Sequence, residues 1–346
     1  MGNLASSRAR DPRRLHHASS GGPGHAFSVP PRCGPAPARP RPYTPGMERV
    51  AYDEFGLFHE NAEEFGLPYD GAPVVRRESV DLGDGRHLSA LVWGTAPPEL
   101  VLLHGGSQNA HTWDTVALAL GRPLLAVDLP GHGHSDGGRG PTPSVRDNAA
   151  DVAVAIRALA PGARGVVGMS MGGLTALGLA QDSPELVARL VLVDVTPGVD
   201  REKAAAIIAF VNGPESFADF DEILARTVEH NPTRSASSLR RGILHNAEQR
   251  ADGSWVWRYA RFRQPSGAAG AAEPHFEDLW DAVSGLTVPL MLVRGMAKGT
   301  VVGDDDEAAL LARQPDARVE RVEGAGHSIQ GDKPVELAAL LDEFIP

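Results

Sequence analysis

The stretch Gly168-Met169-Ser170-Met171-Gly172 matches the pattern G-x-S-x-G. Its chemistry would be nucleophilic attack by a serine hydroxyl. In that pattern the serine sits on a sharp, strained turn from strand to helix, so its neighbours two places away must be small. The helix that follows points its N-terminus at the reacting group and favours negative charge there. The pattern is short, and Gly133-His134-Ser135-Asp136-Gly137 matches it too. Context separates the two. Ser170 follows the apolar run Gly165-Val166-Val167 and precedes Leu174-Thr175-Ala176-Leu177, a helix-forming series. Ser135 lies in a loop of Gly, His and Asp and reads as a turn residue. Ser170 is therefore the expected nucleophile.

A serine hydroxyl is a poor nucleophile at neutral pH and needs a base. Thirteen histidines are available. His327 follows an apolar run at 319–322 through Gly324-Ala325-Gly326, and lies after the nucleophile in the order serine, acid, histidine. It is the expected base, whereas His104, His132 and His134 read as loop residues. The acid must hold the imidazole in one tautomer. Two sources are open. Asp194 ends the run at 190–195, and the carboxyl ends of strands face the ligand crevice in open α/β sheets. Asp304, Asp305 and Asp306 follow a later strand, but first-turn carboxylates of a helix explain them without catalysis. Asp194 is preferred. A tetrahedral intermediate also needs two N–H donors. Met171, just after the nucleophile, should give one, and Gly106 in His104-Gly105-Gly106-Ser107 the other, with Gly105 the lesser choice.

These residues need strands to hold them. Apolar runs at 100–103, 124–128, 165–168, 190–195, 288–293 and 319–322 alternate with helical patterns at 144–159, 171–180, 305–314 and 334–344. Residues 79–82 and 88–93 read as a hairpin around Asp84-Gly85. Such alternation predicts an α/β fold with a mostly parallel sheet, here of eight strands, covered by helices on both faces. Residues 199–286 break the rhythm and read as a mainly helical cap inserted into a core of 47–198 and 287–346. Phe210, Phe220, Trp255, Trp257 and Phe276 could wall an acyl pocket there, or simply fill the cap's own core. His245, Asn246 and Gly105 are weaker pocket candidates.

Composition sets outer bounds. The chain of 346 residues is 42% apolar, enough for a sizeable core, and carries a formal net charge of −11. That acidic balance argues against non-specific nucleic-acid binding. Residues 1–47 hold seven Arg and one Asp, about +6, leaving about −17 elsewhere. Residues 1–46 are rich in Arg, Pro, Gly, Ser and Ala without periodicity and read as a disordered basic tail, with either Met47 as the true start or the tail as a regulatory segment. One cysteine, Cys33, excludes an internal disulfide and any cysteine-based metal site. No apolar run is long enough to span a bilayer, and no secretory leader is recognisable, so a cytoplasmic protein is expected. No metal site is read from the sequence, and the oligomeric state is open.

Taken together, His104-Gly105-Gly106, the run Asp128-Leu129-Pro130-Gly131-His132-Gly133-His134-Ser135, the serine turn and Gly326-His327 resemble the α/β-hydrolase superfamily over residues 78–346. Gln108-Asn109-Ala110-His111-Thr112-Trp113, Leu192-Val193-Asp194-Val195-Thr196-Pro197, Trp255-Val256-Trp257-Arg258-Tyr259 and Val293-Arg294-Gly295 look like its actinobacterial, especially mycobacterial, serine ester hydrolases. The resemblance implies a carboxylesterase acting on short to medium acyl esters, a helical cap, no cofactor, and Asp194 as acid. Lys298 stands where the commoner family pattern has Asp. The same scaffold also supports thioesterase, lyase or cofactor-free peroxidase chemistry, or a ligand-binding module without catalysis.

Overall fold

The computed structural model describes residues 49–139, 144–199, 202–231, 234–259, 276 and 278–346. The basic tail proposed at 1–46 lies outside them. Chain order runs α1 (Phe58–Phe65), β1 (Val75–Asp81), β2 (His87–Trp93), β3 (Leu100–Leu103), α2 (Asp114–Leu120), β4 (Leu124–Val127), α3 (Val145–Leu159), β5 (Gly165–Met169), α4 (Met171–Asp182) and β6 (Leu190–Val193). After β6 come α5 (Ala205–Val211), β7 (Ser216–Phe217), α6 (Phe220–His230), α7 (Ala236–Asn246), β8 (Ala247–Gln249), β9 (Trp255–Trp257) and α8 (Leu279–Ser284). The chain closes with β10 (Leu290–Gly295), α9 (Asp304–Arg313), β11 (Arg318–Val322), α10 (Ile329–Asp332) and α11 (Pro334–Phe344).

Eight strands form one sheet in the order β1-β2-β4-β3-β5-β6-β10-β11. The β1–β2 and β2–β4 pairs are antiparallel, and the other five are parallel. Alternation along each central strand feeds two cores. Val101, Leu103, Leu125, Val127, Leu190 and Leu192 enter one, packed with α3 and α4. Their neighbours Leu100, Leu102, Leu124, Ala126, Val191 and Val193 enter the other, with α2 and α11. A strand buried on both faces reads as an unbroken apolar run, which is why LVLL and LVLV were legible. β10 starts two residues later than its apolar run, after Pro289, whose ring nitrogen cannot donate to the ladder.

The segment between β6 and β10 differs from a purely helical insertion. β7, β9 and β8 form a small antiparallel sheet, and Phe217, Ile223, Ile243, Leu244 and Trp255 build a separate core there. Strands of two or three residues are too short to show a period, so this sheet was hidden in the sequence. Helix α8 instead buries Leu279, Ala282 and Val283 in the main core beside α4.

Candidate active site

Ser170 joins β5 to α4 with φ 51° and ψ −120°. An L-residue rarely holds a positive φ, and such strain persists only where the surroundings enforce it. The surroundings here are tight. A Cβ on Gly168 would land on the backbone of Gly172, and one on Gly172 would meet the Leu103 and His104 carbonyls. Both flanking glycines are sterically required. Among the described residues only Ser107, Ser170 and Asp194 are non-glycine residues with positive φ. All three follow parallel strands at their carboxyl ends. The second serine, Ser135, donates from Oγ to the Asp128 carbonyl at 2.6 Å and accepts from the Ser89 N–H, which is a turn-stabilising role.

Register brings the nucleophile candidate to the acid candidate. Met169 pairs with Val193, so Ser170 and Asp194 leave neighbouring strand ends side by side, about 4.8 Å apart as adjacent strands are. The Asp194 side chain is fully buried, and Oδ2 lies 2.8 Å from His327 Nδ1. Oδ1 accepts the Gly295 N–H and Oδ2 the Val301 N–H, each at 3.1 Å. The loop after β10 therefore serves Asp194 with amide donors, in place of the carboxylate that the sequence lacks at Lys298. The other acids lie apart from the imidazole. Asp304 pairs with Arg294 at 2.7 Å, and Asp306 accepts the Gly303 N–H and the Lys203 ammonium, each at 2.7 Å. Asp305 is exposed in the same first turn of α9. The His327 ring bonds to Asp194 alone among the described residues.

The loop after β3 is held by two buried histidines. His104 Nε2 accepts the Leu129 N–H at 2.9 Å, and its Nδ1 donates to the Gly105 carbonyl. His132 Nε2 accepts the Ser107 N–H at 3.1 Å, and its Nδ1 donates to Pro130. Both roles require neutral rings. Burial, aided by His132, pushes His104 down to about 3, and burial lowers His132 as well. Gly105 N–H is committed to Gln108 Oε1 at 3.1 Å, and a Cβ at Gly105 would crowd Met169 Sδ and Ser170 Cβ. Gly106 N–H makes no hydrogen bond among the described residues. Met171 begins α4, whose first N–H groups have no partner within the helix.

Beside this turn lies a cavity of about 160 Å³. Ser170 and His327 are not among its lining residues; Gln108 and Ser328, the latter next to His327 in the chain, are, with Gln108 Nε2 3.4 Å from Ser328 Oγ. Phe210, Trp257, His245 and Asn246 line it from the insertion. Asn246 Nδ2 donates to the Ser107 carbonyl and its Oδ1 accepts from Asn109 Nδ2, tying α7 to the loop. Trp255 does not line the cavity; it is buried against Phe220 in the small core. Phe276 packs on the main core.

A buried cluster adjoins the cavity that sequence reading missed. His111 Nδ1 lies 2.9 Å from Asp114 Oδ2, and its Nε2 lies 3.1 Å from Glu54 Oε1. Burial drives the His111 imidazole down, but Asp114 and Glu54 outweigh it and raise it to about 9, so it is a cation at neutral pH. Burial and the His111 charge hold His245 well below 6.5. The neutral His245 ring accepts the Tyr52 hydroxyl at Nδ1, 2.9 Å away. Donor atoms of His111, Asp114 and His245 come within 4.8 Å of one another, close enough for a metal ion. A metal takes each imidazole lone pair in its ring plane at about 2.0–2.1 Å. These rings stack at 3.8 Å with 11° between planes, so the lone pairs run side by side instead of converging. The cluster is a proton-bridged ion group, and the spacing His111-x-x-Asp114 was its available signal.

The comparisons agree with this architecture. Residues 100–340 match the model of the alpha/beta hydrolase family. The chain is 44% identical over 301 residues to esterase Rv0045c of Mycobacterium tuberculosis, covering 85% of this chain and 96% of that protein. The crystal structure of that esterase superposes with a TM-score of 0.73 at 43% identity, over 86% of this chain and 99% of that one. A 2-(acetamidomethylene)succinate hydrolase of Mesorhizobium japonicum is 29% identical over 259 residues, 72% of this chain and 88% of its own. A serine turn, a buried carboxylate–imidazole pair and this strand order thus coincide with a match along nearly the whole folded chain, which belongs to the alpha/beta hydrolase family.

Proposed function

We propose that this chain is a serine carboxylesterase that cleaves short to medium acyl esters through an acyl-enzyme. The observation that carries the reading is the Asp194–His327 hydrogen bond at 2.8 Å beside the left-handed Ser170. The similarity to a mycobacterial esterase supports the ester as substrate class.

In this reading each residue has a defined role. Asp194 fixes the imidazole with Nδ1 protonated and Nε2 free to take a proton. His327 takes the Ser170 proton as Oγ attacks the ester carbonyl. The Met171 and Gly106 N–H groups receive the oxyanion, where preorganised donors in a dry site lower the barrier most. His327 returns the proton to the leaving alcohol, then activates water to release the acid. The segment between β6 and β10, proposed as a cap over residues 199–286, supplies the substrate pocket with Trp257 and His245. A fluorophosphonate should label wild-type protein at Ser170 and leave Ser170→Ala unlabelled. Labelling of the alanine variant would refute the assignment.

A further inference from the structure

Among the described residues, several buried or half-buried arginines are neutralised at hydrogen-bond distance. Arg77 is paired with Glu54 and Asp128, Arg241 with Glu64, and Arg294 with Asp304 and Glu307. Arg234 is the exception: among the described residues no carboxylate is within 4 Å of it, and Asp332 and Glu64 act on its charge from beyond that distance. Its Nη2 donates to Ser238 Oγ at 2.6 Å, and its Nε is shielded from solvent with no partner. The residue is half-buried and borders the cavity. Burial lowers its pKa, yet a guanidinium stays charged at any working pH. A charge in such a place with no hydrogen-bonded counter-ion is costly and favours an incoming anion.

Its position relates it to the reaction. A Cβ at Gly331 would sit 2.9 Å from the Arg234 Cζ, so the guanidinium rests on α10. Ser328, which follows His327, lies one helical turn earlier, about 5 Å along the axis. Ser328 and Gly331 both line the cavity. At roughly 10–15 Å³ per water-sized group, its volume holds a ligand of about ten heavy atoms.

Building on the esterase reading, we propose that this cavity receives the free carboxylate of the substrate, with Arg234 as its counter-charge. The preferred substrates are then half-esters of C4–C8 dicarboxylic acids. A carboxylate fits the planar donor fork of arginine in two parallel hydrogen bonds.

The test compares kcat/KM for monoethyl glutarate and ethyl valerate, read by proton release. Wild type should favour the half-ester by at least tenfold. Arg234→Gln should bring the ratio to about one, Arg234→Lys should keep part of it, and Arg240→Gln, on α7 beside Glu60, should leave it unchanged. A wild-type ratio of one or less, or a ratio that survives Arg234→Gln, overturns the proposal. A folding defect in the variants is bypassed by a second measurement: glutarate, but not glutaramide, should raise the melting temperature of the Ser170→Ala protein, and no such difference overturns the proposal. The two readings fail separately. Glutarate binding without fluorophosphonate labelling sinks the serine chemistry and keeps the anion site, whereas labelling with neither half-ester preference nor glutarate binding does the reverse.

Discussion

Two regions flank Gln108, and they are finished to different degrees. On the strand-end side nearly every buried polar atom is committed: both Asp194 oxygens, both ring nitrogens of His104 and both of His132. Among the described residues Ser107 Oγ is an unpartnered buried atom there. On the cavity side Asp114 Oδ1, Arg234 Nε, Arg241 Nε, His245 Nε2 and Gln330 Oε1 are all shielded and without partners. Buried polar groups are ordinarily satisfied, so a concentration of exceptions marks a place completed by something else. The first region is built for one fixed chemistry, which needs preorganisation. The second is built to receive.

The contrast can be broken by substitution, beginning where the effect is largest. Ser170→Ala should cut ester turnover by about 10⁴-fold or more, as removal of a triad nucleophile does. Residual turnover within tenfold of wild type would place the chemistry elsewhere. Asp194→Asn should lose about 10³–10⁴-fold in kcat with the fold intact, because the wrong tautomer is then favoured. Asp304→Asn should change kcat less than about threefold, since that acid is exposed and at the surface. Equal losses in the two variants would erase the distinction between a committed carboxylate and a surface one.

Smaller effects sharpen the cavity side. Trp255→Ala should destabilise the protein by about 3–5 kcal/mol, the range for large aromatic deletions from a core. Denaturant unfolding measures this, and a loss below about 1 kcal/mol would show that the small core is not a packing unit. The His111 cluster predicts a pH dependence. The folded pKa, about 9, is raised above the usual 6.5, so its stabilisation is complete below about pH 6.5. It should fade as pH rises through about 9. Melting temperatures from pH 6 to 10 should show this decline, and His111→Gln should flatten it. An identical slope in both proteins would remove His111 as its source.

The strand-end region was legible in the sequence because its determinants are local. Apolar runs, glycines at fixed offsets and the order of Ser170, Asp194 and His327 sit within a few residues of the elements they mark. Lys298 left Asp194 and the Asp304–Asp306 cluster as rival acids; the register of β5, β6 and β10 and the 2.8 Å contact place Asp194 alone against the imidazole. The cavity side was mostly opaque for the opposite reason. His111 meets His245, Glu54 meets Arg77, and Gln108 meets Ser328 only when segments far apart in the chain are packed. Arg234 draws notice through what it lacks, and no motif records a missing partner.

The stretch ahead of α1 has a consequence for how this molecule can be shortened. Val50 N–H bonds to Gln249, Tyr52 to His245, and Glu54 to Arg77 and His111. Five residues thereby stitch the inserted segment to the sheet from outside it. A clone trimmed to begin at Met47 retains every stitch; one begun at Phe55 removes all four contacts in a single cut, leaving the His111 cation one counter-ion short and the inserted segment held by the Asn246 and Arg241 contacts.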